Sequence, residues 1–241
     1  MTILADMHTH TNVSHHAYST LQENCAVAKE KGLYAIAVTN HAPAMKDGAH
    51  IWHFGGMRTV PRRIYGVYVL RGAEVNILSE DGEIDIDEKR LKKLDYVIAS
   101  FHEECFAPSS PEVHTKAYEN ILKNPYVNTL GHAGNGAYPF DYEAIISKCN
   151  QYGKLFEINN HSFKIRRGST ENCREIALLC KKYRVPVVVS SDAHISFDVG
   201  TFDTSVSMLQ SIDFPEELIL NSNINLLREY FLKRSGLDIS E

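Results

Sequence analysis

Several features common in other protein classes are missing from this chain. No apolar run approaches the roughly 18–20 residues of a membrane-spanning helix, so a helical membrane protein is excluded. The opening MTILADMHTH has no basic segment leading into an apolar one, and no signal peptide is expected. The five cysteines (Cys25, Cys105, Cys149, Cys173 and Cys180) are odd in number, scattered and without a C-x-x-C pair, which excludes a disulfide framework. Cys173 and Cys180 stand seven apart on an expected helix, a packing interval. Free, buried thiols in a reducing cytoplasm are the expectation. There is no G-x-S-x-G elbow for a serine nucleophile. GHAGNG at 131–136 follows a strand-like run, but it lacks the G-x-G-x-x-G spacing and leads into Tyr138-Pro139, so a dinucleotide site is excluded. Neither sign of charge dominates: 25 Lys+Arg face 30 Asp+Glu, for a net charge of −5. That balance argues against a nucleic-acid surface built on net charge.

What is present is an ordinary globular composition with an unusual number of histidines. Hydrophobic residues make up 44% and charged residues 23%, so a disordered or fibrous chain is excluded. Short β-branched runs at 3–7, 34–39, 66–74, 95–100, 127–130, 154–159 and 185–190 read as strands. Helical patterns lie between them at 21–31, 87–94, 110–123, 141–152, 170–183, 202–212 and 223–233. Thr20 and Glu23 form a capping box ahead of the first of these, and Gly32 closes it. Strands alternating with helices imply parallel βαβ units. Seven strands without a linker or composition break predict one α/β domain over 1–241, a closed or nearly closed barrel, with an open doubly wound sheet as the alternative.

The twelve histidines become informative once placed on those strands. The first strand runs into His8-Thr9-His10, followed by His15 and His16. The second ends at His41, the third at Glu74, the fourth at His102, the fifth at His132, and the seventh at Asp192 and His194. Parallel barrels build their active sites at the carboxyl ends of their strands. His8 and His10, two apart on an extended segment, point to one side and can chelate one ion; Asp192 and His194 can do the same. Imidazole with carboxylate suits Zn²⁺, Mn²⁺ or Fe²⁺ better than Mg²⁺ or Ca²⁺. Nine candidate ligands are too many for one ion and enough for two or three. Of the other histidines, His114 reads as a surface residue of a helix, while His50, His53 and His161 read as loop residues on the ligand side.

At these residues the sequence resembles the PHP (polymerase and histidinol phosphatase) family, and within it the YcdX-type phosphatases. The matching segments are D-M-H-T-H, A-Y-S-T-L after His16, T-N-H-A, W-H-F-x-x-M-R at 52–58, L-R-G-A-E-V-N, S-F-H-E, G-H-A-G-N, L-F-E-I-N-N, G-S-T-E-N-C-R-E and S-S-D-A-H, with D-F-P-E-E-L-I-L-N extending the likeness to about residue 221. The resemblance implies a distorted (β/α)₇ barrel of the TIM-like kind holding three metal ions, usually zinc. It implies a first ion on His8, His10, Glu74 and Asp192, and a second on Glu74, His102 and His132, with Glu74 bridging. The third would take His16, His41 and His194. His16 has this place because it stands immediately before A-Y-S-T; a one-residue slip would substitute His15. Two positions depart from the family: Asn40 stands where Asp is frequent, and Ala193 where Ser is common.

The activity so implied is hydrolysis of a phosphate monoester of a small metabolite, with a metal-bound hydroxide as nucleophile. Glu74 and Asp192 are the expected catalytic carboxylates. Arg58, His53, Arg166, Arg167 and Asn160 are the expected substrate contacts, and the Trp52–Arg58 region hints at an aromatic and basic pocket. Glu157 reads as a buried barrel residue or a support to a ligand. Histidinol-phosphate phosphatase or phosphodiesterase activity within the same family is the alternative, with a non-catalytic metal-binding module beyond it. An amidohydrolase bridged by a carboxylated lysine is disfavoured, because no strand ends in lysine. Neither nucleic acid nor a membrane is an expected partner.

Overall fold

Strand β1 (Ala5–Thr9) is buried along its whole length, and six further strands extend the sheet from it in parallel. The computed structural model describes residues 1–240. After β1 come β2 (Ala35–Val38), β3 (Arg63–Ile64), β4 (Val67–Asn76), β5 (Tyr96–Ser100), β6 (Thr129–Leu130), β7 (Leu155–Asn159) and β8 (Val187–Ser190). Seven of them pair in the order β1-β2-β4-β5-β6-β7-β8, all parallel; β3 lies antiparallel on β4. Sequences such as AIAV in β2 and VVVS in β8 are buried at every position, as expected for strands covered on both faces.

The helices are α1 (Leu21–Glu30), α2 (Ile51–Gly56), α3 (Glu88–Leu91), α4 (Pro111–Lys123), α5 (Tyr142–Tyr152), α6 (Ser162–Ile165), α7 (Ser169–Tyr183), α8 (Asp203–Ser211) and α9 (Ile224–Ser235). The Thr20–Glu23 capping box is present at the start of α1. Ser110 caps α4 with Pro111 at its first position, and Gly153 ends α5 in the left-handed conformation. The expected helix over 87–94 contracts to α3, where Leu91 is the one buried residue of a charged turn. Among the described residues no helix is long and apolar enough to cross a membrane.

The barrel is nearly closed, and its seam lies between β8 and β1. At the carboxyl end the backbone N–H of Asp192 donates to His8 O (3.0 Å) and that of His10 to Ala193 O (2.8 Å). Lower down, the side chain of Asn221 spans the gap. Its Nδ2 donates to Ala5 O (2.7 Å) and Val189 O (2.6 Å), while its Oδ1 accepts from Val189 N–H (3.0 Å). Asp6 adds a second tie, accepting from Ser191 N–H (3.0 Å) and Gly200 N–H (2.8 Å).

Two layers of side chains fill the molecule. One lies between the sheet and the surrounding helices. The other occupies the barrel itself: Ala5, Met7, Tyr68, Leu70, Tyr96, Ile98, Leu155 and Val188 face one another, with Leu227 and Phe231 of α9 closing the amino-terminal end. This apolar floor sets where polar side chains can gather.

Candidate metal centre

The two-residue period of a strand carries each inward column from the apolar floor to the carboxyl-end rim. In β4 the column reads Tyr68, Leu70, Gly72, Glu74; in β5 and beyond it reads Tyr96, Ile98, Ser100, His102. Similarly, β7 presents Leu155, Glu157 and Asn159, and β8 leads from Val188 through Ser190 to Asp192. β1 breaks the rule: Ala5 and Met7 belong to the floor, yet His8 and His10 belong to the rim. A register shift between Asp6 and Thr9 against β2 supplies the change of phase. His132 and Asp192 sit at φ 28° and 56°, a region that non-glycine residues seldom occupy. A Cβ on Gly131, just before His132, would lie 2.2 Å from Ser100 Oγ and 2.5 Å from Ile98 Cγ2, so any other residue there would force these side chains to shift.

Glu74 is the hub. Its Oε2 lies 2.8 Å from His41 Nδ1, 3.3 Å from His8 Nε2 and 3.6 Å from His10 Nε2. Its Oε1 lies 2.9 Å from His132 Nε2 and 3.4 Å from His102 Nε2. Asp192 Oδ1 stands 3.2 Å from His10 Nε2 and 3.6 Å from His8 Nε2, and those two nitrogens are 3.0 Å apart. Farther out, His16 Nε2 is 2.9 Å from His194 Nε2, and the rings of His10 and His41 stack at 4.2 Å.

This spacing suits a cation. His8 Nε2 and His10 Nε2 stand 3.0 Å from each other and 3.2 to 3.6 Å from Glu74 Oε2 and Asp192 Oδ1. A tetrahedron with edges of about 3.4 Å has its centre about 2.1 Å from each corner, which is the bond length of zinc to imidazole nitrogen or carboxylate oxygen. Glu74 Oε2, His41 Nε2 and His102 Nε2 are buried without a hydrogen-bond partner. Unpaired buried polar atoms are costly, and a bound ion would satisfy them. Three groups of donor atoms lie close enough to share an ion: His8–His10–Glu74, His41–Glu74–His102 and His10–His41–His194.

The far nitrogens of four rings are tied down, which orients the near ones. His8 Nδ1–H donates to Glu157 (2.6 Å) and His16 Nδ1–H to Asp47 (2.5 Å). His102 Nδ1–H donates to Asn76 Oδ1 (2.6 Å), and the Asn76 amide is itself oriented by donating to Asp85 (2.6 Å). His194 Nδ1–H donates to the Asp192 carbonyl (2.9 Å). Burial disfavours charge throughout the cluster. For His8 that effect is outweighed by Glu157, Glu74 and Asp192, which hold its pKa well above the ordinary imidazole value. Burial first, then His41 and His194, pushes His10 well below that value, and burial lowers His41 to about 4. Burial would raise Glu74 and Asp192, but the surrounding cations keep both carboxyls well below the usual range. Two ionised carboxylates and the neutral rings of His10 and His41 form a metal-binding donor set, which His8 can join through Nε2 on giving up a proton.

A family profile described as PHP domain matches residues 6–167. The chain belongs to the PHP domain family. A probable phosphatase of Acetivibrio thermocellus is 45% identical over 234 residues, spanning 97% of each chain. A probable phosphatase of Caldanaerobacter subterraneus is 48% identical, over 96% of this chain and 92% of its own. Among solved structures, histidinol phosphate phosphatase from Lactococcus lactis, determined with zinc, L-histidinol and phosphate, superposes with a TM-score of 0.61 at 16% identity. It covers 89% of this chain and 95% of its own, a likeness of fold. The protein is thus a phosphatase of the PHP family, with a barrel and a side-chain cluster suited to metal.

All nine residues singled out as metal-ligand candidates in this PHP chain meet at the carboxyl-end face. His16, not His15, approaches His194. Asn40 does not touch the His41 ring. Its Oδ1 accepts from Thr11 N–H (2.8 Å) and Ser14 Oγ–H (3.3 Å), and its Nδ2 donates to His53 Nε2 (3.2 Å). Arg166 lies against the cluster, donating to Asp192 Oδ2 from both terminal nitrogens (3.2 Å each). It lines a cavity of about 270 Å³ with His41, His102, His161 and His194, and also the two larger clefts adjoining it. Arg167 lines only the cleft of about 610 Å³, which has none of the nine ligand candidates in its wall. Arg58 and Trp52 are exposed and line none of these cavities. Asn160 uses its Oδ1 on Ser205 N–H in the first turn of α8 (2.9 Å). His53 lies within α2 and not in a loop, whereas His50 is the loop residue just before that helix and accepts from Trp52 N–H (3.2 Å).

His114 is a correction. It was expected at the surface but is fully buried, with Nδ1–H donating to Pro139 O (2.7 Å) and Nε2 accepting from Ser109 N–H (2.9 Å). It packs on Phe101 and Tyr138 on the core side of α4. The supporting role of Asp47 had no sequence motif to reveal it. Asn76 closes the L-R-G-A-E-V-N segment and follows Glu74 by two on the same strand, and those two signals together could have found it.

Proposed function

We propose that this PHP phosphatase hydrolyses phosphate monoesters of small metabolites, using three divalent ions, zinc first and Mn²⁺ or Fe²⁺ as substitutes. His8, His10, Glu74 and Asp192 would hold the first, Glu74, His102 and His132 the second, and His16, His41 and His194 the third. The observation that carries this reading is Glu74, whose two oxygens face different sets of imidazoles and so can serve two ions at once. Bound there, the ions would supply Lewis acidity and a water of lowered pKa, the usual means of phosphoester hydrolysis without a protein nucleophile.

The side chains divide the remaining work. Arg166 presents a guanidinium to the cavity above the cluster, where it can bind phosphate oxygens in the two-pronged manner its geometry favours. Its bonds to Asp192 Oδ2, with another from Asn159 Nδ2 (3.1 Å), keep Oδ1 turned to His10 and able to hold a proton of the attacking water. The small cavity beside the cluster fits a phosphoryl group, and the adjoining cleft of about 510 Å³ leaves room for a modest leaving group.

The direct test is metal analysis of the purified chain together with phosphate release from an aryl phosphate. Two to three equivalents of transition metal and chelator-sensitive turnover are expected. A folded chain without metal would sink the site, and a metal-loaded chain inert on a broad panel of phosphomonoesters would sink the reaction.

A further inference from the structure

β7 is the one barrel strand that ends without a metal-ligand candidate, yet its inward column holds a fully buried carboxylate. We propose that this residue, Glu157, is a positioning residue for two members of the cluster at once: the ring of His8 and the backbone of His132. The inference rests on the metal centre proposed above.

The argument is one of donors and acceptors. Glu157 Oε1 accepts from His8 Nδ1–H (2.6 Å) and Ser190 Oγ–H (2.5 Å), while Oε2 accepts from the backbone N–H of His132 (2.5 Å). With its proton held on Nδ1, His8 keeps the Nε2 lone pair facing His10 Nε2 and Glu74 Oε2, at 3.0 and 3.3 Å. The bond to His132 anchors a peptide whose φ of 28° is strained for a non-glycine residue, and it thereby aims that ring at Glu74 Oε1. One carboxylate thus ties the ends of β1, β6 and β8 and sets the two sides of Glu74.

Only an acceptor at both ends can do this. Glutamine, of the same shape, offers one oxygen and one NH₂. With the oxygen toward His8, its NH₂ meets the His132 N–H. Turned over, its NH₂ meets His8 Nδ1 and selects the tautomer whose Nε2 carries the proton, withdrawing the lone pair from the cluster.

The test uses the full chain and two readouts: zinc affinity by competition with a chromophoric chelator, and thermal melts of metal-free and zinc-loaded protein. Glu157→Gln is expected to bind zinc roughly tenfold to a hundredfold less tightly, the range for lost partners of ligating histidines. The rise in Tm on zinc loading should shrink, whatever the metal-free melt loses to the buried N–H left without an acceptor. A merely structural role predicts a lower metal-free Tm with wild-type zinc affinity and an undiminished rise on zinc loading, and that result overturns the proposal. Glu157→Asp keeps the charge but withdraws it by one methylene. Weakened zinc binding in this variant supports the proposal, and wild-type affinity in the folded variant overturns it. If neither variant folds, Glu157 belongs to the fold itself and the proposal fails. A wild-type chain that binds no zinc would remove the metal centre and this inference together, whereas metal-loaded wild type with indifferent variants removes the inference alone.

Discussion

Replacing Glu74 by glutamine tests the hub of the cluster. The change keeps the side chain's shape and removes one negative charge from a fully buried position that faces five imidazole nitrogens at 2.8 to 3.6 Å. In the wild type those imidazoles hold the Glu74 carboxyl ionised against the effect of burial. Removing one partner of a buried charged pair costs roughly 3–5 kcal/mol. At about 1.4 kcal/mol per tenfold, that is a loss of two to nearly four orders of magnitude in affinity for ions held against this carboxylate. Each amide orientation also turns an NH₂ toward nitrogens that would otherwise offer lone pairs, so neither flip rescues both sides. Glu74→Gln should therefore retain at least one metal equivalent fewer than wild type after dialysis against buffered zinc, measured by elemental analysis, and lose turnover of an aryl phosphate in parallel. Full metal content with unchanged kinetics would refute the bridging role. Full metal content with lost turnover would move Glu74 from holding ions to the chemistry alone.

Other outcomes follow from single contacts. Arg166→Ala should lower kcat/KM for an aryl phosphate by roughly 10- to 150-fold, the equivalent of a lost charge-assisted hydrogen bond, with metal content retained; Arg58→Ala, exposed and outside the cavities, should stay within about twofold, and the opposite ranking would place phosphate binding elsewhere. Asn40→Asp would put a carboxylate where an amide nitrogen now lies 3.2 Å from His53 Nε2. The His53 pKa, lowered by burial, should then rise by roughly 1–3 units in an NMR titration, and no rise would show that the contact does not persist in solution. Lys154, buried at the amino-terminal end of the barrel, donates to the carbonyls of Asn124 and Val127, and burial, then Arg234, lowers its pKa to about 7. Between pH 7 and the ordinary lysine value the unfolded chain binds a proton that the folded chain lacks. Stability relative to Lys154→Met should therefore grow with pH in this window, by up to roughly 1.4 kcal/mol per unit. Urea unfolding at pH 7, 8 and 9 reads the difference, and a constant value would refute the shift.

The strand ends were legible because a barrel of parallel strands converts sequence position into height. A ligand-type residue two or four places beyond a floor residue such as Ile98 or Leu70 has to arrive at the rim, and His102 and Glu74 do. Nothing local announced the phase change in β1, because a bulge depends on pairing with β2. The short elements were missed for a related reason. The β3–β4 hairpin turns on Tyr65-Gly66, both at positive φ, and only the glycine half of that turn is visible in sequence. Helices α2 and α6 are too brief to show a helical period. His114 looked solvent-facing because histidine on a helix carries no mark of burial; its carbonyl and amide partners lie on other segments. Likewise, Glu157 could be placed inside the barrel from β7 alone, but its three donors come from three other strand ends.

The seam between β8 and β1 gives the molecule a direction in time. His8 and His10 are synthesised long before Asp192 and His194, and the amide that bridges the gap between their strands comes later still, at Asn221. A growing chain can assemble β1 through β7 side by side, but the four-donor corner at His8, His10, Glu74 and Asp192 cannot exist until β8 docks. The Asn221 bridge forms only once the segment beyond α8 has emerged. If the centre proposed above holds metal, its loading is then a late event of biogenesis. Nascent chains stalled between residues 194 and 221 should fail to retain zinc tightly even though all nine candidate ligands have already been made.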